Sequence, residues 1–288
     1  IDVLFVGSEF EIGFFSRNKK IIEKKTGVQI CVSPYKTIKI AADKYLTANF
    51  LKNNGLPYSK TFVPKNLAHA KKIINQCKMP IYLKNRLGTS SRNVLLIYNK
   101  KDLTKNYHNV NNPMIQEFAG YQGSDLKRIY EEYAGYIGSD LQYEYTCSVF
   151  FTKEKDLIGP FVARRKLRGG TSWLIEIKKF DFIKPLLIRI AKLLPSVGSL
   201  NIQLRDGKNG PVPFEFNARF SGTTCIRAHY GFNEPEMFIK NYFLKKKITT
   251  PKIKKGVALR YVEEIFLDNV NQDNKNILST KGKKENWF

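Results

Sequence analysis

Leu200-Asn-Ile-Gln-Leu-Arg-Asp-Gly-Lys-Asn-Gly-Pro-Val-Pro-Phe-Glu-Phe-Asn-Ala-Arg219 alternates apolar and polar residues on both sides of a turn-forming centre, Asp206 to Gly210. A side-chain period of two flanking Gly, Asn and Asp is the signature of a β-hairpin. One face then carries Leu200, Ile202, Leu204, Phe214, Phe216 and Ala218 and belongs to a core. The other carries Gln203 and Arg205 on the first strand and Glu215, Asn217 and, if the strand continues, Arg219 on the second. Folding about Lys208 to Gly210 brings Gln203 opposite Glu215. Three oxygen-bearing side chains converge there with an arginine nearby, a set that suits Mg²⁺ when the ion also keeps phosphate oxygens in its shell. A solvated antiparallel face alternates in the same way, and both readings stay open at this point.

Working outward, Val3-Leu-Phe-Val6 and Val28-Gln-Ile-Cys-Val32 are short apolar runs separated by a polar, helix-like stretch over Arg17 to Lys25, which reads as βαβ. Asp43 to Asn54 reads as a helix with Asp43 at its N-cap and Gly55 closing it. A second helix is expected over Lys65 to Cys77, then strands over Pro80 to Lys84 and Val94 to Tyr98. The loop between those strands, Asn85-Arg-Leu-Gly-Thr-Ser-Ser-Arg-Asn93, offers glycine and hydroxyls through which backbone amides can approach phosphate, flanked by Lys84 and Arg92. An ordinary basic hairpin loop is the alternative. Further strands are expected at Pro113 to Phe118 and Tyr143 to Phe151. A helix apolar nearly all round is expected at Pro185 to Leu194, a late helix at Glu234 to Leu244, and a loose polar tail beyond Asp268. The mixture is α/β with antiparallel hairpins, not a simple doubly wound sheet. Glu117-Phe-Ala-Gly-Tyr-Gln-Gly-Ser-Asp-Leu126 is nearly restated as Glu132-Tyr-Ala-Gly-Tyr-Ile-Gly-Ser-Asp-Leu141, a single local duplication rather than a solenoid repeat.

Composition narrows the function classes. With 288 residues, 42% hydrophobic, the chain can bury a sizeable core despite a formal charge of +24. The lysines are scattered, and the clusters Lys245 to Lys247 and Lys252, Lys254, Lys255 lack interleaved stacking aromatics, which argues against nucleic acid as a partner. Cys31, Cys77, Cys147 and Cys225 form no CxxC pair, and His69, His108 and His229 stand alone, so neither a thiol-based metal site nor histidine chemistry is expected. No apolar run is long enough to span a membrane and no signal-peptide pattern opens the chain, so a soluble cytoplasmic protein with no membrane partner is expected. The chain opens at Ile1 directly on a strand-like segment, and upstream sequence is expected to be missing.

In this order the segments resemble the ATP-grasp superfamily, in particular the large subunit of carbamoyl phosphate synthase and related single-chain carboxylate-amine ligases. The resemblance covers Asp2 to Leu244. Its most specific piece is Glu215-Phe-Asn-Ala-Arg-Phe-Ser-Gly222, which looks like the family's Glu-Ile-Asn-Pro-Arg-Phe-Ser-Gly element. Asp43-Lys44 with Thr47, Pro80 to Val94, Met114 to Gly120, Glu144-Tyr-Thr146 and Arg164-Arg-Lys166 before Gly169-Gly170 support it. The resemblance implies a partial Rossmann-like pre-ATP-grasp domain at residues 1–41, an ATP-grasp domain of two α+β lobes clamping ATP at residues 42–250, and a C-terminal extension at residues 251–288.

By motif position it implies that Lys44 and Lys84 contact ATP phosphates and that Gly88, Ser90, Ser91 and Arg92 close over them. Glu117 and Phe118 would read adenine mainly through backbone groups, with Glu132 and Tyr133 of the second copy as rivals, and Glu144 would hold the ribose. Gln203, Glu215 and Asn217 would bind Mg²⁺, with Mn²⁺ an alternative, while Arg219 and one of Arg164 or Arg165 would stabilise the transferring phosphoryl group. The implied reaction joins a small-molecule carboxylate to an amine through an acyl phosphate. Phosphorylation of bicarbonate or carbamate, as in carbamoyl phosphate synthesis, and a non-catalytic nucleotide-binding module are the alternatives, and a homodimer is open. The sequence departs from the family at Ala218, where relatives have Pro, and at Gln203, where many have an acid.

Overall fold

A computed structural model describes residues 1–88, 94–118, 144–168, 170–261, 264–268 and 283–284. The chain divides into two compact units, the first drawn from residues 1–38, 144–202 and 217–288 and the second from residues 39–143 and 203–216.

The chain begins with β1 (Val3–Phe5), α1 (Glu9–Thr26) and β2 (Gln29–Cys31), and the two strands pair in parallel with Leu4 opposite Ile30. α1 starts earlier than its polar centre suggests because the Ser8 side chain accepts from Phe10 N, and it stops where Gly27 turns left-handed at φ 74°. Glu9 and Glu11 in the first turn and Lys24 and Lys25 in the last match the helix dipole. α2 (Tyr35–Ala42) follows Ser33-Pro34, and Ile38 N donates to Pro34 O at 3.0 Å.

In the second unit, α3 (Lys44–Asn53) is capped by Asp43, which accepts from Tyr45 N and Leu46 N at 2.9 and 3.2 Å. β3 (Thr61–Phe62) leads to α4 (Leu67–Ile74), shorter than its apolar spacing because Asn66 caps it by accepting from His69 N at 2.8 Å. β4 (Ile81–Asn85), β5 (Leu95–Ile97), α5 (Lys100–Asn106) and β6 (Pro113–Glu117) complete a four-stranded sheet in the order β3–β6–β4–β5. Ile81, Leu83, Ile97 and Ile115 form its core with Ala70, Ile73 and Ile74 of α4. Each of these isoleucine and leucine side chains contributes about 1.5–3 kcal/mol by leaving water.

The first unit resumes with β7 (Glu144–Phe151), β8 (Leu157–Arg168) and β9 (Thr171–Ile177), then α6 (Lys184–Leu193). The β8–β9 hairpin has no counterpart among the expected strands. Its run Arg164-Arg-Lys166 breaks the apolar pattern, and on the neighbouring strands Arg164 meets Glu176 and Arg165 meets Glu144. α6 differs from expectation too: Leu187, Ile190 and Ala191 are buried while Leu193 is exposed, so it buries one face rather than its whole circumference.

β10 (Gly198–Gly207) and β11 (Gly210–Asn217) form the expected hairpin about Lys208 and Asn209. Leu200, Ile202, Leu204, Phe214, Phe216 and Ala218 are all buried, as the alternation requires. α7 (Thr224–His229) and α8 (Glu234–Phe238) follow, and α8 continues as a π-helical turn over Ile239–Phe243 instead of extending to Leu244 as one regular helix. β12 (Gly256–Arg260), β13 (Glu264–Asp268) and β14 (Lys283–Lys284) close an eight-stranded order, β11–β10–β7–β8–β9–β12–β13–β14. Phe150, Phe161, Ile175, Ile226, Tyr230, Phe232 and Phe238 lie in the core of the first unit. The second copy of the duplicated segment, with Glu132 and Tyr133, and most of the polar tail lie outside the described residues.

Candidate functional site

In the second unit the candidate phosphate ligands are set by how α3 begins. Asp43 caps the helix and also accepts from Arg86 Nε at 2.9 and 3.0 Å and Arg86 Nη2 at 2.7 Å, while Lys44 N donates to Arg86 O at 3.2 Å. These bonds stitch the start of α3 to the chain leaving β4. Lys44 Nζ donates to Gly88 O, at the entrance of the candidate phosphate loop. Gly88 has φ 113°, a conformation that residues with a Cβ adopt only under strain. Ser90, Ser91 and Arg92 lie outside the described residues.

Lys84 is buried, with Nζ 5.6 Å from the Tyr82 ring centroid. Tyr82 stacks on Phe118 at 5.1 Å and 20°. The Arg205 guanidinium lies 5.4, 5.2 and 5.1 Å from the ring centroids of Tyr82, Phe118 and Phe214. Period-two alternation in β4 and β6 puts Tyr82 and Lys84 on one face, and Glu117, paired with Ile81, on the face that α4 covers. The Glu117 carboxylate accepts from Lys78 N at 3.2 Å. Gln203 and Glu215 are half-buried.

In the first unit, strand register separates two adjacent arginines. Arg165 pairs with Glu144 across β7 and β8, and its Nη2 donates to Glu144 Oε2 at 3.1 Å. Arg164 pairs with Glu176 across β8 and β9, with Nε donating at 2.7 Å and Nη2 at 2.6 Å from the same carboxylate oxygen. Neighbouring residues of a strand point to opposite faces, so the two ion pairs do too. Glu144 shares its face with Thr146, whose hydroxyl accepts from Asn201 Nδ2 at 3.1 Å and lies 3.4 Å from that of Thr223. Arg165 is therefore on the side of the turn that follows Asn217 and Arg219. Its Nε is buried without a partner among the described residues. Burial lowers the Lys166 pKa, against the attraction of Glu176.

Asn217 is buried and its Oδ1 accepts from Arg219 Nη2 at 3.2 Å. Arg219 also donates through Nη1 to Phe220 O at 2.8 Å and through Nε to the Glu9 carboxylate. Glu9 was not legible as a site residue, because an acid in a first helical turn is already explained by the helix dipole. Glu176 and Arg260 carry no such signal either, and Arg205 was placed on the polar face of the hairpin with no role assigned. Arg260 Nη2 donates to Gly222 O at 2.7 Å.

Gln203, Glu215 and Asn217 together offer oxygen donors alone, one carboxylate and two amides. Among the described residues, no three His, Cys, Asp or Glu side chains are grouped to hold a metal ion. Carboxylate and amide oxygens of this kind are ligands that suit a hard divalent ion whose shell is completed by phosphate oxygens.

The order of strands and helices is that of the ATP-grasp fold. Over residues 141–265 the chain also matches the family model described as "ATP-grasp in the biosynthetic pathway with Ter operon". Among solved structures it is similar to the biotin carboxylase domain of Hydrogenobacter thermophilus 2-oxoglutarate carboxylase, described in complex with MgADP, ADP and bicarbonate. That likeness has a TM-score of 0.69 at 14% identity over 90% of this chain and 58% of the other. N5-carboxyaminoimidazole synthetase from Staphylococcus aureus, complexed with ADP, gives 0.67 at 14% identity, covering 90% of this chain and 65% of that one. A curated relative, the 2-oxoglutarate carboxylase small subunit of Hydrogenobacter thermophilus, is 26% identical over 112 residues, 37% of this chain. The chain spans 24% of that relative's length.

Proposed function

We propose that this chain is the ATP-binding part of a carboxylate-amine ligase acting through an acyl phosphate. The reading rests above all on Arg219, a guanidinium joined to Asn217 and to the carbonyl of the turn that follows it, in a chain with the ATP-grasp fold. Phosphoryl transfer asks a protein to position reactants and neutralise charge rather than to supply a nucleophile. A substrate carboxylate oxygen attacks the γ-phosphorus of ATP and ADP leaves. An amine then attacks the acyl carbon and phosphate departs with the former carboxylate oxygen.

In this proposal Lys44, Lys84 and the segment Gly88, Ser90, Ser91, Arg92 neutralise the ATP phosphates. The backbone of Glu117 and Phe118 meets adenine, and Glu144 binds the ribose. Gln203, Glu215 and Asn217 would hold Mg²⁺, which screens the phosphate charge when bound. Arg219 and Arg165 stabilise the transferred group. Arg164 is left in a supporting role, since its strand position directs it to Glu176 on the other face. Arginine suits these places because its planar fork addresses two oxygens at once.

The pre-ATP-grasp assignment of residues 1–41, the ATP-grasp domain over 42–250 and the extension over 251–288 are part of the same proposal, as is a cytoplasmic homodimer. The free cysteines fit a reducing compartment, and no helix among the described residues is long and apolar enough to cross a membrane. Bicarbonate as the phosphorylated acid is a second reading, favoured by the bicarbonate in the complex described for the 2-oxoglutarate carboxylase domain. Release of ADP from Mg-ATP, measured with a panel of amino acids and with bicarbonate, separates the two. Turnover that survives Glu215→Gln unchanged would remove that residue from the site.

A further inference from the structure

We propose that the buried Arg227–Glu234 pair is a positioning device that shapes the Ser221–Thr224 turn and, through it, aims Arg219 and Arg260. The inference rests on the ligase reading above. Both side chains of the pair are 0% exposed. Arg227 Nε donates to Glu234 Oε2 at 2.7 Å and Nη2 to Glu234 Oε1 at 3.1 Å. The rest of the fork serves the turn: Nη1 donates to Ser221 Oγ at 3.0 Å and Thr223 Oγ1 at 2.7 Å, and Nη2 to Thr224 Oγ1 at 3.1 Å. Those bonds use all five N–H donors of a guanidinium. Glu234 Oε1 in turn accepts from Ser148 of β7 and Ser199 of β10, each at 2.6 Å.

The turn is thus wound around a guanidinium bolted to the sheet. Its own closures are local: Thr224 N donates to Ser221 O at 3.0 Å and Ser221 N to Thr224 Oγ1 at 3.0 Å. Two carbonyls of this stretch each hold an arginine, Phe220 O receiving Arg219 Nη1 and Gly222 O receiving Arg260 Nη2. A shift of the turn moves both cations together. Stability alone is a weak reason for such a pair, since desolvation offsets much of the attraction and apolar replacements of similar volume often fold as well or better. What apolar side chains cannot supply is three directed donors to the turn from a guanidinium whose other two donors are held by Glu234.

The test uses the full chain with three variants. Arg227→Lys keeps the charge and loses the fork. Thr224→Val keeps the shape and removes one acceptor. The double variant Arg227→Met with Glu234→Leu replaces the pair without leaving a lone buried charge. In the variants that fold, the expected result is a kcat lowered roughly 100-fold for the double variant, as for a misplacement of about 1 Å, with the KM for ATP nearly unchanged. Thr224→Val should show the same pattern in weaker form. A folded double variant or a folded Arg227→Lys that keeps wild-type kcat overturns the proposal, because a purely structural pair would change melting temperature and leave the kcat of the folded enzyme alone. A wild type without turnover on any acid sinks the ligase reading, and the positioning claim is then judged by amide exchange. Exchange at Ser221, Thr223 and Thr224 should quicken in Arg227→Lys while β7 amides stay as slow as before, and unchanged exchange at the turn overturns the claim.

Discussion

Glu144 and Arg165 face each other across β7 and β8 as an ion pair of 3.1 Å, and this pairing decides which of two adjacent arginines lies beside the candidate site. Glu144 is buried and shares its face with Thr146, so Arg165 does as well. Arg164 is turned to Glu176. Replacing Arg165 by Met should lower kcat by about 10²–10³-fold, the loss typical of one preorganised charge at a transition state. Arg164→Met should lower thermal stability and leave kcat within a few-fold of wild type. Steady-state ATP turnover alongside melting curves distinguishes the two, and equal kinetic losses would contradict the assignment.

Gly88 gives a second prediction. At φ 113° an added Cβ strains the backbone by about 1–3 kcal/mol, although no neighbour among the described residues lies within 4 Å of it. Because Gly88 O accepts from Lys44 Nζ, relief of that strain should displace the lysine's partner. Gly88→Val is expected to raise the KM for ATP several-fold with a smaller change in kcat. Titration with a non-hydrolysable ATP analogue checks this directly.

Asp43 carries two duties, capping α3 and pairing with Arg86. The hydrogen bond that Arg86 donates to Asp43 is the main reason the guanidinium titrates above its ordinary range. Asp43→Ala should cost about 1–2 kcal/mol from the lost cap alone. Asp43→Asn should recover part of it, since Asn also caps helices well. Urea unfolding of the three proteins measures the difference, and an Asn variant no better than Ala would place the loss in the ion pair.

The cysteines predict a pH dependence. Burial pushes the Cys77 thiol up to about 11 and raises Cys31 and Cys147 further. A thiol whose folded pKa lies above its unfolded value of 9.0 stabilises fully below that value. For Cys77 the contribution fades as pH rises from about 9 to about 11. Stability should therefore decline across this alkaline window, and less steeply in Cys77→Ala. At pH 8, alkylation of Cys31, Cys77 and Cys147 should be slow when folded and fast in denaturant.

Much of the fold was legible wherever one face is core and the other polar. The β10–β11 hairpin is the clearest case, with Leu200, Ile202 and Leu204 all fully buried. Asp43 and Asn66 could be recognised or reconstructed from local capping chemistry. β8 was hidden because Arg164 and Arg165 interrupt the apolar pattern, and they find carboxylate partners in Glu176 and Glu144 on the flanking strands. α6 was read as buried all round because composition does not reveal which apolar face meets a neighbour. The candidate site divides along the same line. Lys44, Lys84, Asn217 and Arg219 stand in recognisable local patterns. Glu9 and Arg205 acquire meaning only from contacts between distant segments, and the Arg227–Glu234 pair from its bonds to Ser148 and Ser199.

The central claim is transfer of the ATP γ-phosphoryl group onto a carboxylate, and oxygen labelling tests it most directly. The enzyme is supplied with Mg-ATP, an amine and the ¹⁸O-labelled carboxylate that best stimulates ADP release, and the released phosphate is examined by mass spectrometry. The account predicts phosphate carrying one ¹⁸O atom from the acid, with label transfer abolished together with turnover in Arg219→Ala. Turnover that yields unlabelled phosphate would contradict it.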